Sequence, residues 1–165
     1  MIRKAKFSDI EQIDQIYENA RAFMIKSGNP SQWKDGYPSL DLIKKDIEEG
    51  VSYVYETEEG IEAVFVFFIG EDPTYDQIEN GAWINNLSYG VIHRIASFGR
   101  KKGIANKCID WCYEKHANIR IDTHKDNKVM QHILEGKGFQ VCGTIYVRDG
   151  SKRIAYQKCE QNKKL

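Results

Sequence analysis

The sequence predicts one α/β domain built on a mixed, mostly antiparallel sheet of seven strands, with about four helices. Three observations carry that prediction. First, segments with strand-like alternation or β-rich runs interleave with segments of helical apolar spacing, in the order β-α-α-β-β-β-α-β-α-β-β. Second, Thr57-Glu58-Glu59-Gly60 and Asp149-Gly150 are short turn sequences between strand-like runs, and both read as antiparallel hairpins. Third, residues 89–97, 100–116 and 118–123 form a strand, a helix and a strand, long enough for a parallel crossover. No repeat, low-complexity tract or linker interrupts the chain, and 165 residues suit one domain with a real core better than two.

The elements follow in order. Residues 2–7 alternate weakly and form a first strand. Ser8-Asp9-Ile10-Glu11 reads as a capping box, with Ser8 bonding a free amide and Glu11 bonding back. A helix over 9–25 follows, with Ile10, Ile13, Tyr17, Ala20 and Met24 at helical spacing. Residues 27–38 form a Gly- and Pro-containing loop that also holds Trp33 and Tyr37. Ser39 opens a second helix, with Leu40, Ile43 and Ile47 on one face and Gly50 as its terminal cap. Strands 51–56 and 61–69 make the first hairpin, and residues 71–82 are polar and irregular. Strand 89–97 leads into helix 100–116, which carries Ile104, Cys108, Trp111 and Cys112 on one face. Strand 118–123, helix 126–137 and strands 139–147 and 152–158 complete the chain.

Bulk properties exclude several classes. Lys and Arg total 24 against 24 Asp and Glu, so the formal charge is zero and a dedicated nucleic-acid role is disfavoured. The longest apolar run, residues 63–69, is far short of the ~20 residues a membrane helix needs. The first residues lack the apolar stretch of a signal peptide, so the expected location is the cytoplasm. Cys108, Cys112, Cys142 and Cys159 form no CxxC pair, and reduced, buried thiols are expected in that compartment.

The chemistry-bearing segment is Ser97-Phe98-Gly99-Arg100-Lys101-Lys102-Gly103-Ile104-Ala105-Asn106. It lies where a strand hands over to a helix, and a helix N-terminus presents unpaired amides and partial positive charge. Gly103 has no Cβ, so backbone can approach an anion closely, and Ala105 keeps the first turn clear. Arg100, Lys101 and Lys102 at a helix start oppose its dipole, which suggests that an anion compensates them. Together these features make a cradle suited to a diphosphate. The alternative is a solvated basic helix start with a glycine hinge. Neither a P-loop nor a GxGxxG fingerprint is present.

Arg100-x-x-Gly103-x-Ala105 resembles the Gln/Arg-x-x-Gly-x-Gly/Ala motif of the GNAT superfamily of N-acetyltransferases. Ile92-His93-Arg94-Ile95-Ala96 resembles the superfamily's fourth strand, and Asn127 followed by Gly138-Phe139 resembles a downstream segment. The element order is also the family's. The resemblance implies a GNAT-like fold whose fourth and fifth strands splay apart, with acetyl-CoA as cofactor and CoA as product. Its pantetheine arm would lie along Ile95, Ala96 and Ser97. Lys102, Gly103, Ile104, Ala105 and Asn106 would hold the diphosphate through their amides, with Arg100 and Lys101 beside them. Asn127 would bond the pantetheine or brace the cleft. Two departures stand out: the stretch from Ala96 to Arg100 is shorter than usual, and Leu134 stands where the family often carries a proton-donating Tyr.

Amine acetylation needs a neutral amine, a positioned thioester and a stabilised carbonyl oxygen, and a backbone amide of the splayed strand can serve as the last. His93 on that strand is a candidate base, since a histidine's ordinary pKa suits the task, although a histidine packed in the sheet is an equal alternative. Tyr146 is a candidate donor or a core tyrosine. Trp33 and Tyr37 either wall the acceptor site or cover the core edge. Arg94, Arg120 and Asp122 place charges in largely buried strands, so an ion pair among them is expected, with acceptor recognition by Asp122 as the lesser reading. Cys108, Cys112 and His116 share a helical stripe that reads as packing before metal ligation. The predicted function is acetyl transfer from acetyl-CoA to a primary amine of a small molecule or peptide. A non-catalytic acyl-CoA-binding module is the alternative, motivated by Leu134, and a homodimer is left open.

Overall fold

Seven strands and four α-helices follow the expected order in the computed structural model of the chain, which describes residues 1–160. The strands are β1 (Ile2–Lys4), β2 (Ser52–Thr57), β3 (Gly60–Ile69), β4 (Gly90–Ser97), β5 (Asn118–Thr123), β6 (Gln140–Tyr146) and β7 (Lys152–Cys159). The helices are α1 (Ile10–Lys26), α2 (Leu40–Glu48), α3 (Ile104–Lys115) and α4 (Lys128–Gly136). One mixed sheet runs β1-β2-β3-β4-β5-β7-β6. The β2/β3 and β6/β7 hairpins are antiparallel, as their turn sequences require. β4 and β5 pair in parallel through a ladder of two residue pairs, Gly90↔Ile119 and Val91↔Arg120. So short a ladder between strands of eight and six residues is what parting strands need.

The chain gathers into two compact units. The first comprises Met1–Phe67 and His93–Asp110. Its core joins Ile13, Ile16 and Tyr17 of α1 to Ile43 and Ile47 of α2, Val54 of β2, Val64 of β3 and Ala96 of β4. The second comprises Phe68–Ile92 and the described residues from Trp111 onward. Its core gathers Tyr75, Tyr89, Val91, Ile145 and Ala155, with Phe68, Ile78, Trp83 and Val147 packed against them.

Three element boundaries depart from the sequence reading, each for a local reason. A 3-10 turn, Phe7–Asp9, precedes α1, and the reciprocal cap is made by Asp9 rather than by Ser8 and Glu11. The Asp9 carboxylate accepts the Lys6 amide at 2.7 Å and both terminal nitrogens of Arg3 at 2.8 and 3.0 Å. Helix α3 starts at Ile104, not at residue 100, because Gly103 sits at φ +78, outside the right-handed helical region. Residues 71–82 are more ordered than their polarity suggests. Asp72 caps the turn Pro73–Tyr75 through the Thr74 amide, and Glu79 exchanges two backbone hydrogen bonds with Thr144 of β6.

Candidate active site

The first unit contains the whole loop from Phe98 to Gly103 and the first turns of α3. The amides of Ile104, Ala105 and Asn106 open the helix and have no intrahelical acceptor. A Cβ built at Gly103 would meet no protein atom within 4 Å, so the space above this backbone is open to a ligand. Its left-handed φ independently favours glycine. These two properties fit a diphosphate.

The cations beside the cradle are less free than their sequence implies. Arg100 donates to Glu62 through Nε (3.2 Å) and Nη2 (2.9 Å), and its guanidinium lies 4.2 Å from the centre of the Phe98 ring. Glu62 is 2% exposed, so Arg100 neutralises a buried carboxylate. Lys101 donates to Glu59 at 3.1 Å. The expectation that all three charges await an anion is thereby corrected: two of them already have carboxylate partners. An anion at this turn would meet backbone amides, with Lys102 in the turn beside them.

Upstream, His93, Ile95 and Ser97 are half-buried and Ala96 packs into the core. Between His93 and Ile95 the backbone is unusual. Arg94 has φ +49, a left-handed conformation that costs a non-glycine residue on the order of 1–3 kcal/mol and persists only when its surroundings hold it. The holding groups are visible. The Tyr17 hydroxyl donates to the Arg94 carbonyl oxygen at 2.8 Å. The Arg94 guanidinium donates to both oxygens of Asp46, at 3.0 and 2.8 Å, and to the Tyr37 hydroxyl at 3.2 Å. Burial opposes the Arg94 charge, but Tyr37 and Asp46 outweigh it and hold its pKa up. Burial raises the Asp46 pKa, and Arg94 opposes that rise. Trp33 packs edge-on to Tyr17 and to Tyr37, with ring centroids 5.5 and 6.4 Å apart. The structure therefore brings one candidate acceptor-wall aromatic, Tyr37, onto the residue next to His93, and packs the other, Trp33, against Tyr37.

The second unit holds the remaining candidates. Asp122 accepts from the buried Tyr75 hydroxyl at 2.7 Å, and burial and then Asp122 push that phenol's pKa well up. The ion pair expected among Arg94, Arg120 and Asp122 takes other forms: Arg94 pairs with Asp46, Asp122 with a phenol, and Arg120 donates to the Asn85 carbonyl at 2.9 Å. Arg120 lies between the rings of Trp83 and Tyr89, 4.3 and 4.0 Å from their centres, which offsets part of its burial. Tyr146 is exposed, donates to Glu79 at 3.1 Å, and lines a cavity of about 260 Å³ with Pro73, Thr74, Asp76 and Gln77. The Glu79 bond raises its pKa. The Asn127 side-chain oxygen accepts the Met130 amide and caps α4, so its structural role is explicit. Leu134 is fully buried in α4.

Cys108 and Cys112 are buried, burial pushes the Cys108 thiol up to about 12, and the His116 ring bonds the Ser88 carbonyl at 2.8 Å. Among the described residues no group of three or more His, Cys, Asp or Glu is placed to hold a metal, and no helix is long and apolar enough to cross a membrane.

Tyr17, Asp46 and Glu62 were not among the site residues expected from the sequence. Tyr17 was hidden in the apolar stripe of α1. The other two carried a signal: Asp46 sits between Ile43 and Ile47 on the inward face of α2, and Glu62 is the only charge in the run 61–69. An acid at an inward position requires a cation.

The chain is similar to a GNAT-family acetyltransferase from Streptococcus agalactiae 2603, with 36% identity and a TM-score of 0.89 over 98% of this chain and 95% of that one. A protein of Staphylococcus aureus Mu50 matches with 27% identity and a TM-score of 0.72, over 96% of this chain and 98% of its own. A GNAT-family acetyltransferase from Listeria monocytogenes 4b F2365 shares the fold, with 22% identity and a TM-score of 0.69 over 96% and 93% of the two chains. No protein-family model and no curated protein matches the chain.

Proposed function

Because the chain belongs to the GNAT family of acetyltransferases, we propose that it is one N-acetyltransferase domain, working in the cytoplasm, that moves an acetyl group from acetyl-CoA to a primary amine of a small molecule or peptide. The observation that carries this reading is the open backbone cradle at Gly103, at the mouth of α3. A diphosphate bound there would meet the amides of Lys102 through Asn106 and the helix dipole. Ile95, Ala96 and Ser97 would pair with the pantetheine arm through their backbone.

The thioester supplies an activated acyl carbon. The amine nitrogen attacks it directly, the C–S bond breaks, and CoA leaves as the thiolate, which takes up a proton. His93 accepts the proton that the amine loses, directly or through water. Tyr146 is the candidate donor to the thiolate; its bond to Glu79 must then be exchanged during turnover. Trp33 and Tyr37 wall the acceptor, and Asp122 draws a cationic amine. Buried Leu134 favours a second reading, a module that binds acyl-CoA without chemistry, because no hydroxyl stands at that position.

Calorimetry with acetyl-CoA tests the binding half, and no heat at millimolar ligand would sink it. Gly103→Glu introduces bulk, a carboxylate and a strained φ, and at least a hundredfold loss of acetyl-CoA affinity is expected. Retained affinity would mean that the diphosphate sits elsewhere. Turnover of acetyl-CoA with any amine of a broad panel would exclude the non-catalytic reading.

A further inference from the structure

We propose that Tyr17 and Asp46 are positioning residues for acyl transfer, which act through Arg94 to fix the direction of the Ile95 amide on β4. The proposal rests on the acetyltransferase reading above and adds to it the groups that hold the reactive strand.

The Arg94 carbonyl and the Ile95 N–H belong to the same planar trans peptide, so they point in opposite directions. The Tyr17 hydroxyl, on α1, takes the carbonyl end at 2.8 Å. The N–H end is thereby aimed away from α1. A hydrogen bond accepted at the carbonyl also polarises the peptide and strengthens its N–H as a donor. A preorganised, polarised amide is what the developing negative charge on a thioester oxygen requires.

The left-handed φ of +49 at Arg94 turns this peptide out of the regular ladder direction. That conformation is disfavoured for arginine, so something must hold it. Tyr17 holds the carbonyl, and Asp46 holds the side chain with two hydrogen bonds from a planar fork. Both groups are well placed to resist movement: Tyr17 is 2% exposed and Asp46 6%. Tyr37 adds a third contact to the same guanidinium, which links the proposed acceptor loop to the strand that presents the thioester. A tyrosine that merely fills the core needs none of this arrangement, because its hydroxyl would be satisfied by any nearby carbonyl.

Tyr17→Phe removes only the hydroxyl and keeps the ring against Trp33. With acetyl-CoA and an amine that the wild type acetylates, kcat is expected to fall at least tenfold while KM for acetyl-CoA changes less than twofold, since the diphosphate cradle is untouched. The Ile95 amide nitrogen resonance is expected to shift, because the preceding carbonyl loses its donor. Unchanged kcat, or equal losses in kcat and thermal stability with no shift at Ile95, would overturn the proposal. Asp46→Asn provides the same kcat and KM readout should Tyr17→Phe fold poorly. It keeps the shape and one bond to Arg94, and a threefold to tenfold loss of kcat is expected; unchanged kcat overturns the role of Asp46. A wild type that acetylates no amine sinks the acetyltransferase reading instead, and an unmoved Ile95 resonance then sinks the clamp on its own.

Discussion

Arg94 on β4, partly buried, and Arg120 on β5, buried, are both guanidiniums on sheet strands, and the protein keeps them in opposite ways. Arg94 has a carboxylate, a phenol and a strained backbone. Arg120 has two aromatic faces, one backbone carbonyl and an Nε with no hydrogen-bond partner. A fork bonded to a carboxylate is directional, whereas a cation between rings is held mainly by area and polarisability. The difference separates a residue whose geometry matters from one whose volume matters. Burial pulls the Arg120 pKa down, whereas Tyr37 and Asp46 keep that of Arg94 up against its own burial.

Replacing each arginine by methionine breaks the comparison in the sharpest way. Arg94→Met strands the Asp46 carboxylate, 6% exposed, without its cation, and such an orphan costs about 3–5 kcal/mol. Arg120→Met strands one carbonyl, that of Asn85, and relieves the burial of a charge that has no carboxylate partner, so a loss of about 1 kcal/mol is expected. Urea denaturation of the two variants gives the ordering. Equal losses would mean that the aromatic sandwich holds its cation as strongly as the ion pair does.

The second unit has its own directional centre, and it is neutral. Gln157 is fully buried, accepts the Ile84 amide at 2.8 Å, and donates to the Asn118 side chain at 2.7 Å and to that of Asn85 at 3.3 Å. Gln157→Leu removes the acceptor of the part-buried Ile84 N–H and the donor to the buried Asn118 side-chain oxygen, a cost of about 2–3 kcal/mol. A denaturation midpoint that moves by less than a third of the Arg94→Met shift would show that water replaces the amide. The comparison would then sharpen into one between a site closed to water and a site open to it.

How much of this was legible in the sequence follows from how local each cause is. The Asp149-Gly150 turn aligned β6 with β7, and Gly150 takes the positive φ that such a turn needs. The cradle at Gly103 was legible because strand, glycine and helix are consecutive. The pairing of Arg100 with Glu62 and of Lys101 with Glu59 was not, because each contact spans about forty residues. For the same reason the expectation for Arg94, Arg120 and Asp122 failed: charge alone says that a partner must exist, and tertiary folding decides which. The left-handed turn at Arg94 left no mark, since Ile-His-Arg-Ile-Ala reads as ordinary strand.

Arg3, on the edge strand β1, offers a third arrangement and the smallest effect. It bonds Asp9 twice and Glu56 twice, at 2.8–3.1 Å. The hydrogen bonds from Arg3 are the largest cause holding the Asp9 pKa below the ordinary carboxylate value of 3.8. A carboxylate with a lowered folded-state pKa contributes stability that is present above its unfolded value and lost as pH falls through the folded value. Asp9 is as little exposed as Asp46, but it keeps the Lys6 amide as a donor when Arg3 is lost, so Arg3→Met should cost about 1 kcal/mol near neutral pH. The gap to the wild type should close as the pH drops from about 4 towards 2. A pH series of melting temperatures reads this directly. A gap that stays constant across the acid range would mean that Arg3 contributes packing of its stem rather than charge, and would place it nearer to Arg120 than to Arg94.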